Sequence, residues 1–198
     1  MDNKVILIDV ETSGLSAARD RVVDIGVIYE HEGILVDTFQ TYIYLDEYPK
    51  SYKYAEAVHG LSPKFLKENG VSEEEGFKLL LKFLDKHINK FDKQDKAVLS
   101  GFNIAFDKRF FEALFTRQGN KFIDSYLEHT PYDVLKLARE CNKQGIIDTV
   151  DNKLVTIAEY LEVNLTEAHS ALADIKATRE VNKKLNALVE GRKKKGYI

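Results

Sequence analysis

The segment Lys4-Val-Ile-Leu-Ile-Asp-Val-Glu11 is apolar without alternation until two acids close it, the pattern of a central strand covered on both faces. Two further β-rich runs, Arg21 to Tyr29 and Gly33 to Tyr44, flank a short connection holding His31, Glu32 and Gly33, which predicts a hairpin. From Ser72 the period changes, with Phe77, Leu80, Leu81, Leu84 and Ile88 recurring at helical steps behind a Ser72/Glu75 capping box. Ala97 to Ser100 reads as a short buried strand. Asn103 is the expected N-cap of a helix through Phe106, Phe110, Leu114 and Phe115. Tyr132 to Cys141 and Leu154 to Leu161 predict two short helices, separated by a polar loop with Gly145, Asp148, Asp151 and Asn152. A last long helix carries Ala171, Ile175, Thr178, Val181, Leu185 and Leu188 on one stripe, and the basic run from Gly191 to Gly196 is expected to be a solvated tail. A hairpin set followed by strands alternating with helices predicts an α/β architecture on a mixed sheet. The expected organisation is one domain over 1–190 with a basic tail at 191–198.

Composition narrows this picture. A chain of 198 residues, 44% hydrophobic and 31% charged, with only 3 Pro and 11 Gly, has the core of one ordinary domain and is not a low-complexity or collagen-like sequence. Twenty-nine basic against thirty-two acidic residues give a net charge of −3, which lacks the basic excess of a passive nucleic-acid binder. A polyanionic partner would have to meet a local basic patch or metal ions. The lone Cys141, with no N-terminal apolar h-region and no run of 18 apolar residues, predicts a soluble cytoplasmic protein with no membrane partner.

Three constellations carry possible chemistry. Asp9 and Glu11 lie two apart on a strand, so both side chains emerge on one face. At the end of an apolar strand they either reach water or are held by a metal, because buried ionised groups need compensation. The adjoining Thr12-Ser13-Gly14 is turn-like and lets the backbone approach a ligand closely. Asn103 and Asp107, four apart, share a face of the helix expected after the short strand, where α/β sheets border their ligand crevice. His169 and Asp174 are five apart, about 140° on an ideal helix, and would not share a face if both were helical. Ser170 as N-cap instead puts His169 on the entering loop and Asp174 in the first turns.

In order and content, the strand-end Asp-x-Glu, the Asn-x-x-Phe-Asp and the late His-x-Ala-x-x-Asp resemble the DnaQ-like, DEDDh-type 3′-to-5′ exonucleases, the family of polymerase proofreading subunits, ribonuclease T and oligoribonuclease. The resemblance runs from Val5 to Leu188 and includes Val58-His-Gly-Leu61, Tyr132 to Arg139 and Lys153 to Leu161. It implies a ribonuclease H-like fold, a five-stranded mixed sheet flanked by helices. It also implies that Asp9, Glu11, Asp107 and Asp174 hold two divalent ions and that His169 is the general base. Thr12, Gly14 and Leu15 would line the pocket for the terminal nucleotide, with His59 near it and Asn103 supporting the site. Many relatives have His-Asn where this chain has Phe102-Asn103. That departure puts a substrate contact at this position in doubt; Phe102 could stack on a base, but a phenylalanine at a strand end is more often core, and it is left out of the expected site.

The activity implied is hydrolysis of phosphodiester bonds from the 3′ end of single-stranded or frayed DNA or RNA, DNA being favoured, with release of nucleoside 5′-monophosphates. Oxygen-only ligands suit two Mg²⁺ or Mn²⁺ ions rather than zinc. The rival readings are a catalytically silent binding module on the same fold, an RNA-trimming exoribonuclease and a ribonuclease H-like endonuclease. The intact acids and His169 disfavour the first, and the His-x-Ala-x-x-Asp ending disfavours the last. With no polymerase domain and only a short stretch after Leu188, a stand-alone repair or processing enzyme is expected ahead of a proofreading subunit, although a DNA polymerase subunit stays a possible partner. No heptad seam or apolar patch fixes the oligomeric state.

Overall fold

A computed structural model describes residues 3–165 and 170–194. Five strands form one sheet in the order β3-β2-β1-β4-β5, where β1 is Lys4–Thr12, β2 Val22–His31, β3 Ile34–Tyr42, β4 Val98–Gly101 and β5 Tyr132–Asp133. The apolar run recognised in the sequence is the central strand. It pairs antiparallel with β2 and parallel with β4, so strand direction changes on crossing it. The β2–β3 hairpin closes through Glu32 and Gly33, both at positive φ (51° and 76°), the backbone a two-residue I′ turn requires.

On one face, Ile6, Ile8 and Val10 of β1 join Ile25 and Val27 of β2 beneath α3 (Glu73–His87) and α4 (Ala105–Arg117). Leu80, Leu84, Phe110, Leu114 and Phe115 are essentially removed from water there, each worth about 1.5–3 kcal/mol of transfer free energy. The opposite face is covered by α7 (Ala171–Lys194), whose Ile175 packs on Leu7 and Ile28. α5 (Val134–Lys143) and α6 (Leu154–Tyr160) build a smaller core against Val181 and Leu185 of α7. Because side chains alternate along a strand, Asp9 and Glu11 share the α7 face with Leu7. Their cross-strand partners are Gly26 and Asp24.

Several expectations are corrected. Hydrophobic periodicity does not announce two helices between the hairpin and α3, α1 (Tyr52–His59) and α2 (Pro63–Asn69). The second is set by local chemistry: the Ser62 hydroxyl accepts from the Phe65 amide at 3.1 Å and Pro63 occupies the first turn. Asn103 is not an N-cap. It sits at φ 61°, and α4 begins at Ala105 with no side-chain cap bond. Asn103 and Asp107 therefore do not share a helix. Tyr132 and Asp133 form a strand, and the helix expected from Tyr132 begins at Val134. The basic tail is helical through Lys194, with the Arg192 guanidinium on the carbonyls of Gln144 and Gly145 at the end of α5. Leu188 leaves the stripe and is 41% exposed. The two serine caps form as expected: Ser72 Oγ accepts from Glu75 at 3.2 Å and Ser170 Oγ from Ala173 at 3.2 Å.

Candidate metal centre and active-site cleft

Carboxylate oxygens of Asp9, Glu11 and Asp174 lie within 4.8 Å of one another. β1 supplies the first two by alternation, and α7 supplies the third from its first turn, where it crosses the end of the strand. Asp107 arrives from the other side, in the first turn of α4. β4 pairs with β1 only along Val5 to Leu7, so the edge of β1 beyond is open. There the Val10 amide donates to Asp107 Oδ1 at 3.1 Å. Asp107 is 4% exposed and is fixed beside Asp9 by a bond to the strand that bears it.

The electrostatics of this group follow from crowding. Burial pushes the Asp9 carboxyl well above the usual carboxylate range, and the carboxylates of Asp107, Glu11, Asp174 and Asp24 push it further. Glu11 is raised to about 8, by burial first and then by Asp174, Asp24 and Asp107. Asp107 is raised to about 7 by burial, against the lowering effect of the Val10 amide and with Asp133 adding to the rise. Such a set ionises together only when a concentrated positive charge sits among the oxygens. The donors are all carboxylate oxygen, which fits a hard divalent cation.

Glu11, at the edge of this group, borders a cleft of about 800 Å³ lined also by Thr12, Gly14, Leu15, Tyr54, Val58, His59 and Phe106 among others. Its apolar walls meet solvent: Leu15 is 85%, Tyr54 69% and Val58 65% exposed. The loop after β1 is held from within. Thr12 Oγ1 donates to the Gly14 carbonyl at 2.7 Å, and Asp20 accepts from the Ser16 amide at 2.8 Å. A β-carbon at Gly14 would lie 2.5 Å from Asp20 Oδ2, so a larger residue here would displace the carboxylate that holds the Ser16 amide. His59 is buried at the cleft wall, and its Nδ1 accepts the Leu61 amide at 3.0 Å, which places the proton of the neutral ring on Nε2.

Of the residues named from sequence, the structure brings Asp9, Glu11, Asp107 and Asp174 to one end of β1 and places Thr12, Gly14, Leu15 and His59 on the adjoining cleft. His169 lies outside the described residues. Asn103 is exposed, and its amide donates to Asp133 Oδ1 at 3.0 Å. Phe102 is partly buried against the α5–α7 core, as read. Sequence reasoning passed over two supporting acids. Asp24 sits unexposed in β2, accepting from the Ala171 amide at 3.0 Å and from Gln40 Nε2 at 3.0 Å. Burial raises its carboxyl to about 6 against those bonds. Asp133 accepts the amides of Asn103 and Leu135 on the same oxygen, capping α5 while pinning the loop that launches α4. Both had a signal: Asp24 is a lone acid inside an apolar run, and Asp133 immediately precedes a helical period.

The exonuclease family profile RNase_T matches residues 6–181. A DNA polymerase III PolC-type from Caldanaerobacter subterraneus subsp. tengcongensis is 31% identical over 181 residues, covering 91% of this chain and 11% of that protein. Ribonuclease T from Baumannia cicadellinicola subsp. Homalodisca coagulata is 28% identical over 183 residues, covering 89% of this chain and 80% of the ribonuclease. Among solved structures, E. coli exonuclease I in complex with a dT13 oligonucleotide superposes with a TM-score of 0.77 at 18% identity, over 95% of this chain and 43% of that one. This likeness establishes the fold, and the chain spans only part of the PolC and exonuclease I proteins it matches. With the profile running from the central strand into the helix that supplies Asp174, this chain belongs to the exonuclease family of DnaQ-like nucleases with the ribonuclease H-like fold.

Proposed function

We propose that the protein is a metal-dependent 3′-to-5′ exonuclease acting on single-stranded or frayed nucleic acid, with DNA the favoured substrate and nucleoside 5′-monophosphates the products. The observation that carries this reading is the meeting of Asp9, Glu11 and Asp174, with Asp107 alongside, at the end of β1, where Glu11 borders a cleft with apolar walls. Asp9, Glu11 and Asp174 would hold one divalent ion, and Asp9 with Asp107 a second, either Mg²⁺ or Mn²⁺. Held by these residues, the ions would supply activation of the attacking water and charge stabilisation for the departing oxygen of the phosphodiester. Leu15, Val58 and Tyr54 offer the terminal base and sugar an apolar seat, and the Thr12–Gly14 turn lets the backbone close on them. His169, two residues ahead of α7, is the general base in this reading, since an imidazole with a pKa near ~6.5 takes a proton at neutral pH.

A second reading, trimming of RNA 3′ ends, is favoured by one observation. The ribonuclease T relative is matched over most of its own length. Digestion of 5′-labelled single-stranded DNA and RNA of one sequence with Mg²⁺, Mn²⁺ or EDTA, beside the Asp9→Ala protein, tests both. A metal-dependent ladder shortening from the 3′ end of DNA, absent in the variant, is the expected result, and a ladder from RNA alone selects the second reading. Intact strands under every metal overturn the exonuclease reading and leave a binding module. In the same assay His169→Ala should lower kcat while retaining nucleic-acid binding; wild-type turnover removes its role as base.

A further inference from the structure

We propose that Asp24 is a positioning residue for the metal centre: it fixes the start of α7 and so places Asp174 against Asp9 and Glu11. This rests on the reading of those acids as a metal centre. Asp24 stands directly across β1–β2 from Glu11, on the face covered by α7, and is 0% exposed. Its Oδ2 accepts from the backbone amide of Ala171, the first residue of α7, at 3.0 Å. Gln40 of β3 donates to both its oxygens, at 3.2 and 3.0 Å, and so holds the carboxylate in that orientation.

The helix is seated tightly at the same point. A β-carbon on Gly26, two residues along β2 on the same face, would lie 2.3 Å from the carbonyl carbon of Ala171 and 2.4 Å from the Leu172 amide nitrogen. The α7 backbone thus rests on bare β2 main chain at Gly26 and is bonded to β2 at Asp24. Asp174 follows Ala171 by less than one turn, over which a helix is rigid, and the Ser170 cap keeps that turn closed. A shift at Ala171 therefore passes to the Asp174 carboxylate. Ser170 already satisfies a helix N-terminal amide from within the chain, so what Asp24 adds is a fixed bond between helix and sheet. A carboxylate placed among other carboxylates is a costly way to cap a helix. Its advantage over a neutral acceptor is a charge-assisted bond, at a helix end where the dipole favours negative charge.

The test is Mn²⁺ affinity of the full chain by titration calorimetry without nucleic acid, with melting temperature in EDTA measured in parallel. Asp24→Ala should bind Mn²⁺ about 10–100-fold more weakly, the range expected when a support behind a ligand is lost. Asp24→Asn, which keeps an acceptor for Ala171, should lose less. Excess Mn²⁺ should return the nuclease turnover of Asp24→Ala towards wild type. Val181→Ala, in the core between α7 and α5, should melt lower but bind Mn²⁺ as the wild type does. Wild-type affinity in a folded Asp24→Ala protein overturns the proposal, as does an equal loss in Val181→Ala. Should Asp24→Ala not fold, Gln40→Ala frees the carboxylate instead, and unchanged Mn²⁺ affinity there overturns it. A wild-type chain that binds no Mn²⁺ overturns the metal-centre reading itself, a separate failure.

Discussion

Glu11 shows what it costs to gather several acids at one end of a strand. Without a bound cation, burial and the neighbouring acids raise its carboxyl to about 8 from an ordinary 4.5, and burial raises Asp107 to about 7 from 3.8. A carboxyl whose folded pKa exceeds its unfolded one favours folding while protonated, so this contribution is complete below about pH 4 and disappears as pH rises through 7 to 8. The melting temperature in EDTA should accordingly fall between about pH 5 and 8. Asp9→Asn, which removes the carboxylate at the centre of the group, should flatten that fall and melt about 2–4 °C above wild type at pH 8 in EDTA, the shift worth ~1 kcal/mol in a chain this long. With saturating Mn²⁺ the order should reverse, because only the wild type keeps the full donor set; scanning calorimetry across pH with each additive checks both. Asp9 and Glu11 were legible because strand alternation puts residues two apart on one face. Asp24 was not, since a single acid in a β-run looks the same whether it meets water or a helix. Only the docking of α7 decides it.

Among elements, α7 does the most. It covers β1 and β2, builds the second core with α5 and α6, and carries Asp174. About a third of the way along it, the Arg179 guanidinium bonds Glu30 of β2, the neighbouring Glu180 and the carbonyl of Gly33 in the hairpin turn, with only 8% of the residue exposed. Removing one partner of a buried pair leaves the other charge uncompensated. Arg179→Met should cost about 3 kcal/mol in urea unfolding, and Glu30→Gln added to it should restore part of that loss. A double variant no more stable than the single one removes the explanation. Long periodic elements, α3, α4 and α7, were legible from spacing alone. The short ones were not: α1 and α2 span about two turns each and take their form from Ser62, Pro63 and packing around Tyr52 and Leu66, and β5 is two residues long. Asn103 was misread because a left-handed asparagine and an N-cap asparagine look alike before a helical run.

At the scale of the molecule, the change of strand direction at β1 brings its end, the end of β4 and the starts of α4 and α7 to one place. Crevices at such points are where α/β sheets bind ligands. Motif order along the chain made this architecture and the four acids readable before any coordinates, whereas the walls of the cleft required α1, which periodicity misses. That helix supplies Tyr54 and Val58 opposite Leu15. If these side chains seat the terminal nucleotide, Leu15→Ala with Val58→Ala should raise KM for a single-stranded oligonucleotide about 5–150-fold while leaving kcat and Mn²⁺ affinity near wild type, as expected for ~1–3 kcal/mol of base contact. Steady-state kinetics on a short labelled strand separates the two parameters, and an unchanged KM would reassign the apolar walls.

The bond from Val10 to Asp107 matters for how an inactive control is built. Alanine at Asp107 deletes a candidate ligand and also strands a main-chain amide on the open flank of β1. A loss of activity in Asp107→Ala would then mix chemistry with local rearrangement. Asparagine at the same position keeps an oxygen in reach of that amide and removes only the charge. For this residue, the amide substitution is the dead enzyme that still resembles the living one.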